Sequence, residues 1–198
     1  MSLSLRCPNS GNSKKKETLQ LNYSMSKIPL ETILTYWQQM KLTFDKEAIY
    51  VSLKNCHTSQ RLLMHYLLSA EKNILNEDEI QLLYYPGSFI VDVMIKENPN
   101  LDEVKIELWE KVRESNMDMM EFLSTEEGEG MIRSLHDVID ANPQSELLRF
   151  VTDALMHDKT SQNIREENIW RLLTHLKIVL DCLEKVGEKK DNRAASRF

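Results

Sequence analysis

Two of the five histidines stand in His-Asp pairs, His136-Asp137 and His157-Asp158, with Asp153 and Asp181 nearby or further along. Imidazole and carboxylate together suit a divalent metal, which accepts mixed nitrogen and oxygen ligands. A plainer reading competes with that one. His136 adjoins the apolar positions Leu135 and Val138, and His157 closes an apolar-periodic stretch, where a cation suits the helix dipole. His57 adjoins Cys56, but adjacent side chains diverge on a helix or a strand, so the two form no nucleophile pair. There is no H-E-x-x-H, no E-x-x-H, no glycine-rich phosphate loop and no G-x-S-x-G elbow. E-E-G-E-G at 126–130 lacks the alternating oxygen ligands of a calcium loop. These residues predict no catalytic group and no cofactor.

A second constellation is apolar and acidic. Three of the ten methionines, Met117, Met119 and Met120, fall in N-M-D-M-M-E-F-L. Methionine fills irregular cores and also lines adaptable binding grooves. Residues 71–130 hold sixteen acidic and five basic side chains. A groove apolar at its floor and acidic at its rim suits a basic amphipathic helix. The expected partner-binding residues are therefore Glu110, Glu114, Met117, Met120, Glu121, Phe122 and Leu123.

Four of the His and Asp residues resemble the metal set of the HD phosphohydrolases, all-helical enzymes. Their metal sits between a His, a His-Asp pair and a distant Asp. That resemblance implies His136, His157, Asp158 and Asp181 as ligands and metal-dependent phosphohydrolysis as an alternative activity.

Either constellation needs elements to hold it. The chain has 198 residues, 41% apolar and 28% charged, which suits a globular domain. Glycine and proline number five each, too few for the many sharp turns of a sandwich or a doubly wound sheet. Periodicity supports helices from Pro29 through Met40, around Leu63 to Ile74, and from Asn76 until Pro86-Gly87. Others run from Asn100 through Leu123, from Met131 to Ile139, from Leu147 to Leu155, and from Asn163 to a stop at Gly187. Two stretches stay open. Residues 47–54 alternate apolar and polar, and 89–95 are apolar at nearly every position, so a small two-stranded β element competes with helix for both. The fold class expected is mainly α, an irregular bundle of about seven helices. Its organisation reads as a disordered basic arm over 1–24, one domain over 25–187 with a hinge at 124–130, and a flexible basic tail over 188–198.

The net charge is −6, with the acidic excess in the middle of the chain. An acidic body repels phosphate, which argues against nucleic acid as a partner. Basic residues near the start are not followed by the apolar run of a secretory signal, no stretch could span a membrane, and the three cysteines form no disulfide framework. The expected compartment is the cytoplasm. The first functional expectation is a non-enzymatic interaction module: an adaptor, a chaperone or a subunit of a larger complex. In size and acidity it resembles bacterial secretion chaperones and adaptors. A secreted effector or toxin-neutralising protein is a further alternative.

Overall fold

A computed structural model describes residues 25–42, 46–123, 128–158 and 164–195. They form eight helices and, among the described residues, no strand. The helices are α1 (Leu30–Leu42), α2 (Lys46–Ser59), α3 (Arg61–Ser69), α4 (Glu77–Glu97), α5 (Ile106–Leu123), α6 (Gly128–Asp140), α7 (Ser145–Asp158) and α8 (Glu166–Ala195). No helix among them is long and apolar enough to cross a membrane. The expected arm over 1–24 lies outside the described residues, as do positions 124–127 of the expected hinge.

Two buried helices organise the bundle. α4 packs against α8 and also meets α1, α2, α3 and α7, while α8 lies against α4, α5 and α7. A helix enclosed on several sides must be apolar around most of its girth. This explains the 89–95 run: Phe89, Ile90, Val91, Val93 and Met94 are all buried on different faces of α4. The β element is therefore not formed, because 47–54 lies in α2 and 89–95 in α4. The alternation in 47–54 is no sheet pattern. Val51 is 49% exposed, and the helix is set by Cys56, whose thiol lies 3.8 Å from the Ser88 carbonyl, and by Ser52, which donates to Asp92. Trp37, Phe89 and Phe150, with ring centroids 5.2–5.7 Å apart, fasten α1, α4 and α7 together.

Several helix boundaries differ from the expected ones for identifiable reasons. Asn76 and Glu79 form the full capping box that starts α4. The helix then runs through Pro86 and Gly87 without ending. Asn100 does not start a helix. The buried Gln60 side chain instead donates to the Asp102 carbonyl and accepts from the Val104 amide, holding an extended approach until Ile106. α8 does not stop at Gly187. A Cβ there would lie 3.2 Å from Met25 Sδ, so the glycine leaves room for the Met25 side chain against the helix.

α6 is weakly enclosed. It packs chiefly on α7, buries only Ile139 fully among its described side chains, and leaves Ile132 55% exposed. A helix of 13 residues is marginal on its own and takes its stability from packing. Its amides are expected to exchange with deuterium about 10-fold faster or more than those of α4 and α8, through a local opening. Equal protection in α6 and α8 would show one cooperative unit instead.

Candidate functional site

Helical spacing aligns Glu110, Glu114, Met117 and Glu121 on one flank of α5. The three glutamates are exposed and Met117 is half-buried. Met120, also half-buried, lies further round the helix on the side toward α8. Facing this flank, α8 presents Glu167, Trp170, Arg171, Thr174 and His175. Between them lies a cleft of about 390 Å³, lined also by Met117, Asp118, Met120, Glu121 and Glu71. The structure thus brings together three of the expected partner-binding residues, Met117, Met120 and Glu121. Glu110 and Glu114 continue the flank without lining the cleft. Phe122 and Leu123 complete α5, but their side chains lie outside the described residues.

The inner wall is the most constrained part. Glu71, in the α3–α4 connection, takes a left-handed backbone conformation with φ 48°. Such a conformation is uncommon for a residue with a Cβ and is held here by its surroundings. Arg171 Nη1 lies 3.2 Å from Glu71 Oε2, and His175 Nε2 lies 3.6 Å from Oε1. The approach of His175, ahead of Arg171 and against burial, holds the Glu71 carboxyl below the usual carboxylate range. It therefore stays ionised at neutral pH. Behind it, Tyr66 Oη hydrogen-bonds His175 Nδ1. Burial pushes the Tyr66 phenol up, so it stays protonated beside the imidazole at neutral pH. Tyr66 also meets the edge of Trp109, whose ring carries the Arg113 guanidinium at 5.7 Å. This wall is built, not incidental.

Taken together, the cleft sets Glu71, Asp118, Glu121 and Glu167 against one arginine. Asp118 and Glu167 form no ion pair among the described residues. Trp170, Met117 and Met120 supply its apolar surface.

The residues of the alternative metal set are placed differently. His136 is exposed on α6. Asp181 lines a second cavity, of about 450 Å³, between α8 and the α6–α7 turn. Its two carboxylate oxygens accept from Asn116, Asn142 and Lys177 at 2.6–2.9 Å. The side chains of His157 and Asp158, the last two residues of α7, lie outside the described residues. Among the described residues, no group of three His, Cys, Asp or Glu is arranged to hold a metal ion. Burial pushes the thiols of Cys56 and Cys182 up to about 12, so neither is a thiolate at neutral pH.

Sequence reasoning missed Glu71, Asp118, Glu167, Trp170, Arg171, Thr174 and His175. One signal was present: His175 interrupts the apolar run L-L-T-H-L-K of a helix destined for burial, and a buried imidazole needs partners. Compared with known protein families, curated proteins and solved structures, the chain matches none, so its site is read from its own geometry.

Proposed function

We propose that the protein is a non-enzymatic interaction module, an adaptor or complex subunit, that binds a basic amphipathic segment of a protein partner along the α5 flank. The observation supporting this is the cleft beside that flank, where four carboxylates and one arginine surround a Met and Trp floor. Acidic charge steers a basic partner and raises its association rate, while apolar contact at the floor governs how long it stays.

The two roles separate by experiment. Reversing charge at Glu110, Glu114 and Glu121 to lysine is expected to slow association with a co-purified partner by about 10-fold or more at low salt, and to flatten the salt dependence. Met120→Ala is expected instead to speed dissociation with little change in association. Association that is independent of salt in the unaltered protein would reduce the flank to a solvated helix face.

A further inference from the structure

We infer that the α5–α8 cleft is a socket for one arginine side chain projecting from the partner segment, an inference that rests on the interaction reading above. The size of the space argues first. Ligand pockets span about 300–1,000 Å³, and 390 Å³ is at the small end. A whole helix, about 10 Å across, cannot enter it and must lie along the exposed flank of Glu110, Glu114 and Glu121. What the cleft admits is a single long side chain.

Charge argues second. Glu71 closes the inner end, with Oε2 toward Arg171 and Oε1 toward His175. Asp118 and Glu167 stand on opposing helices; neither forms an ion pair among the described residues, although the charge of Glu167 also acts on the exposed Arg165 guanidinium. An anionic head group would meet four carboxylates for one guanidinium, so the occupant is a cation.

The apolar lining then chooses between the two basic residues. A guanidinium is more weakly hydrated than an ammonium, stacks on aromatic faces and can bridge two carboxylates through its fork of donors. Trp170 offers the face, the carboxylates on α5 and α8 offer two ends for the fork, and Met117 and Met120 offer a surface for the methylene stem. Lysine matches the charge and the apolar stem but lacks the planar fork that stacks on the ring and bridges two carboxylates.

The test uses N-acetyl-arginine amide titrated into the full-length ¹⁵N-labelled protein. The expected result is a saturable shift of the Trp170 indole N–H and the Thr174 amide, with a Kd on the order of 1–10 mM. N-acetyl-lysine amide is expected to bind about threefold more weakly or less. The double variant Asp118→Asn with Glu167→Gln should keep its melting temperature, since both side chains are solvent-facing, and should weaken the arginine probe by about threefold or more. Equal binding of lysine, shifts confined to the Glu110–Glu114 end, or no saturable shift would each overturn the socket. So would cleft signals that change in the free protein when Lys14, Lys15 and Lys16 are all replaced by glutamine, because the chain's own basic segment would then be the occupant. The two readings fail separately. A partner slowed by the α5 charge reversal, with Trp170 unmoved by arginine, discards the socket and keeps the interaction module. A seated arginine probe with no partner sensitive to those charges does the opposite.

Discussion

Replacing Glu79 by alanine is expected to lower folding stability by about 3–5 kcal/mol, read as a fall in denaturant midpoint at unchanged slope. Glu79 is fully buried at the third position of α4. Its carboxylate accepts from the Asn76 amide at 2.9 Å, the Arg165 amide at 3.0 Å and the Asn168 side-chain amide at 3.0 Å. The Arg165 guanidinium adds bonds of 3.1 and 2.6 Å. One side chain thus caps α4 and ties down the start of α8, the two helices that organise the bundle. Truncation takes this acceptor from the Asn76 and Arg165 amides and from the buried Asn168 side chain, while the Arg165 guanidinium keeps its bond to the Ile74 carbonyl; buried donors without an acceptor are expensive. Burial alone would raise this carboxyl, but the donors outweigh it and hold the group at about 2, below its usual 4.5. A depressed folded value means stability that is present above pH 4.5 and is lost as the pH falls from there through 2. The loss amounts to at most about 3 kcal/mol, trimmed because Arg165 faces solvent. Glu79→Gln keeps the capping geometry without the charge, so its acid sensitivity over that window should be flatter than that of the unaltered protein. An identical acid profile would assign the sensitivity to other carboxylates.

The helices that could be read from the sequence are those whose local signals agree with their tertiary surroundings. Asn76 with Glu79 announces the start of α4, and the fold needs a helix starting there. Local signals fail where packing overrides them. Pro86-Gly87 reads as a stop, yet α4 continues because five neighbouring helices bury its length, which outweighs one lost backbone bond. The β-branched residues of 89–95 suit a strand by propensity and a wholly enclosed helix by packing, and periodicity cannot separate the two. Asn100 failed as a start because its competitor, Gln60, is forty residues away in sequence. No window reading contains that information.

The candidate site divides the same way. Of the cleft residues on α5, Met117, Met120 and Glu121 were expected because the acidic excess and the methionine cluster fall together in one short stretch, while Asp118 within that stretch was passed over. The other half of the cleft comes from α8 and from a single residue of the α3–α4 connection. Glu71 has no motif around it; its role arises from an unusual backbone conformation and from contacts with Arg171 and His175, a hundred residues later. Convergence of this kind is a property of the tertiary fold, and only a buried polar residue such as His175 leaves a trace of it in the sequence.

Gly87→Ala is expected to destabilise the protein by about 1–3 kcal/mol, although alanine is the better helix former by about 1 kcal/mol. Gly87 lies inside α4 where α3 crosses it. An added Cβ would sit 2.5 and 2.7 Å from the two Cδ atoms of Leu67 and 3.2 Å from its Cγ. Leu67 is fully buried, so it has little room to give way. Leu67→Ala alone should cost about 2–5 kcal/mol through the cavity it leaves. In the double variant the new methyl enters that cavity, so the combined loss should fall short of the sum by about 0.5–3 kcal/mol. Exact additivity, or a neutral Gly87→Ala, would show that α3 and α4 do not depend on this close approach. The consequence reaches the cleft. Tyr66, next to Leu67 on α3, holds His175, and Glu71 follows two residues after α3 ends. Pushing α3 away from α4 therefore moves the inner wall as a unit, and Gly87→Ala should weaken the arginine probe even though residue 87 does not line the cleft.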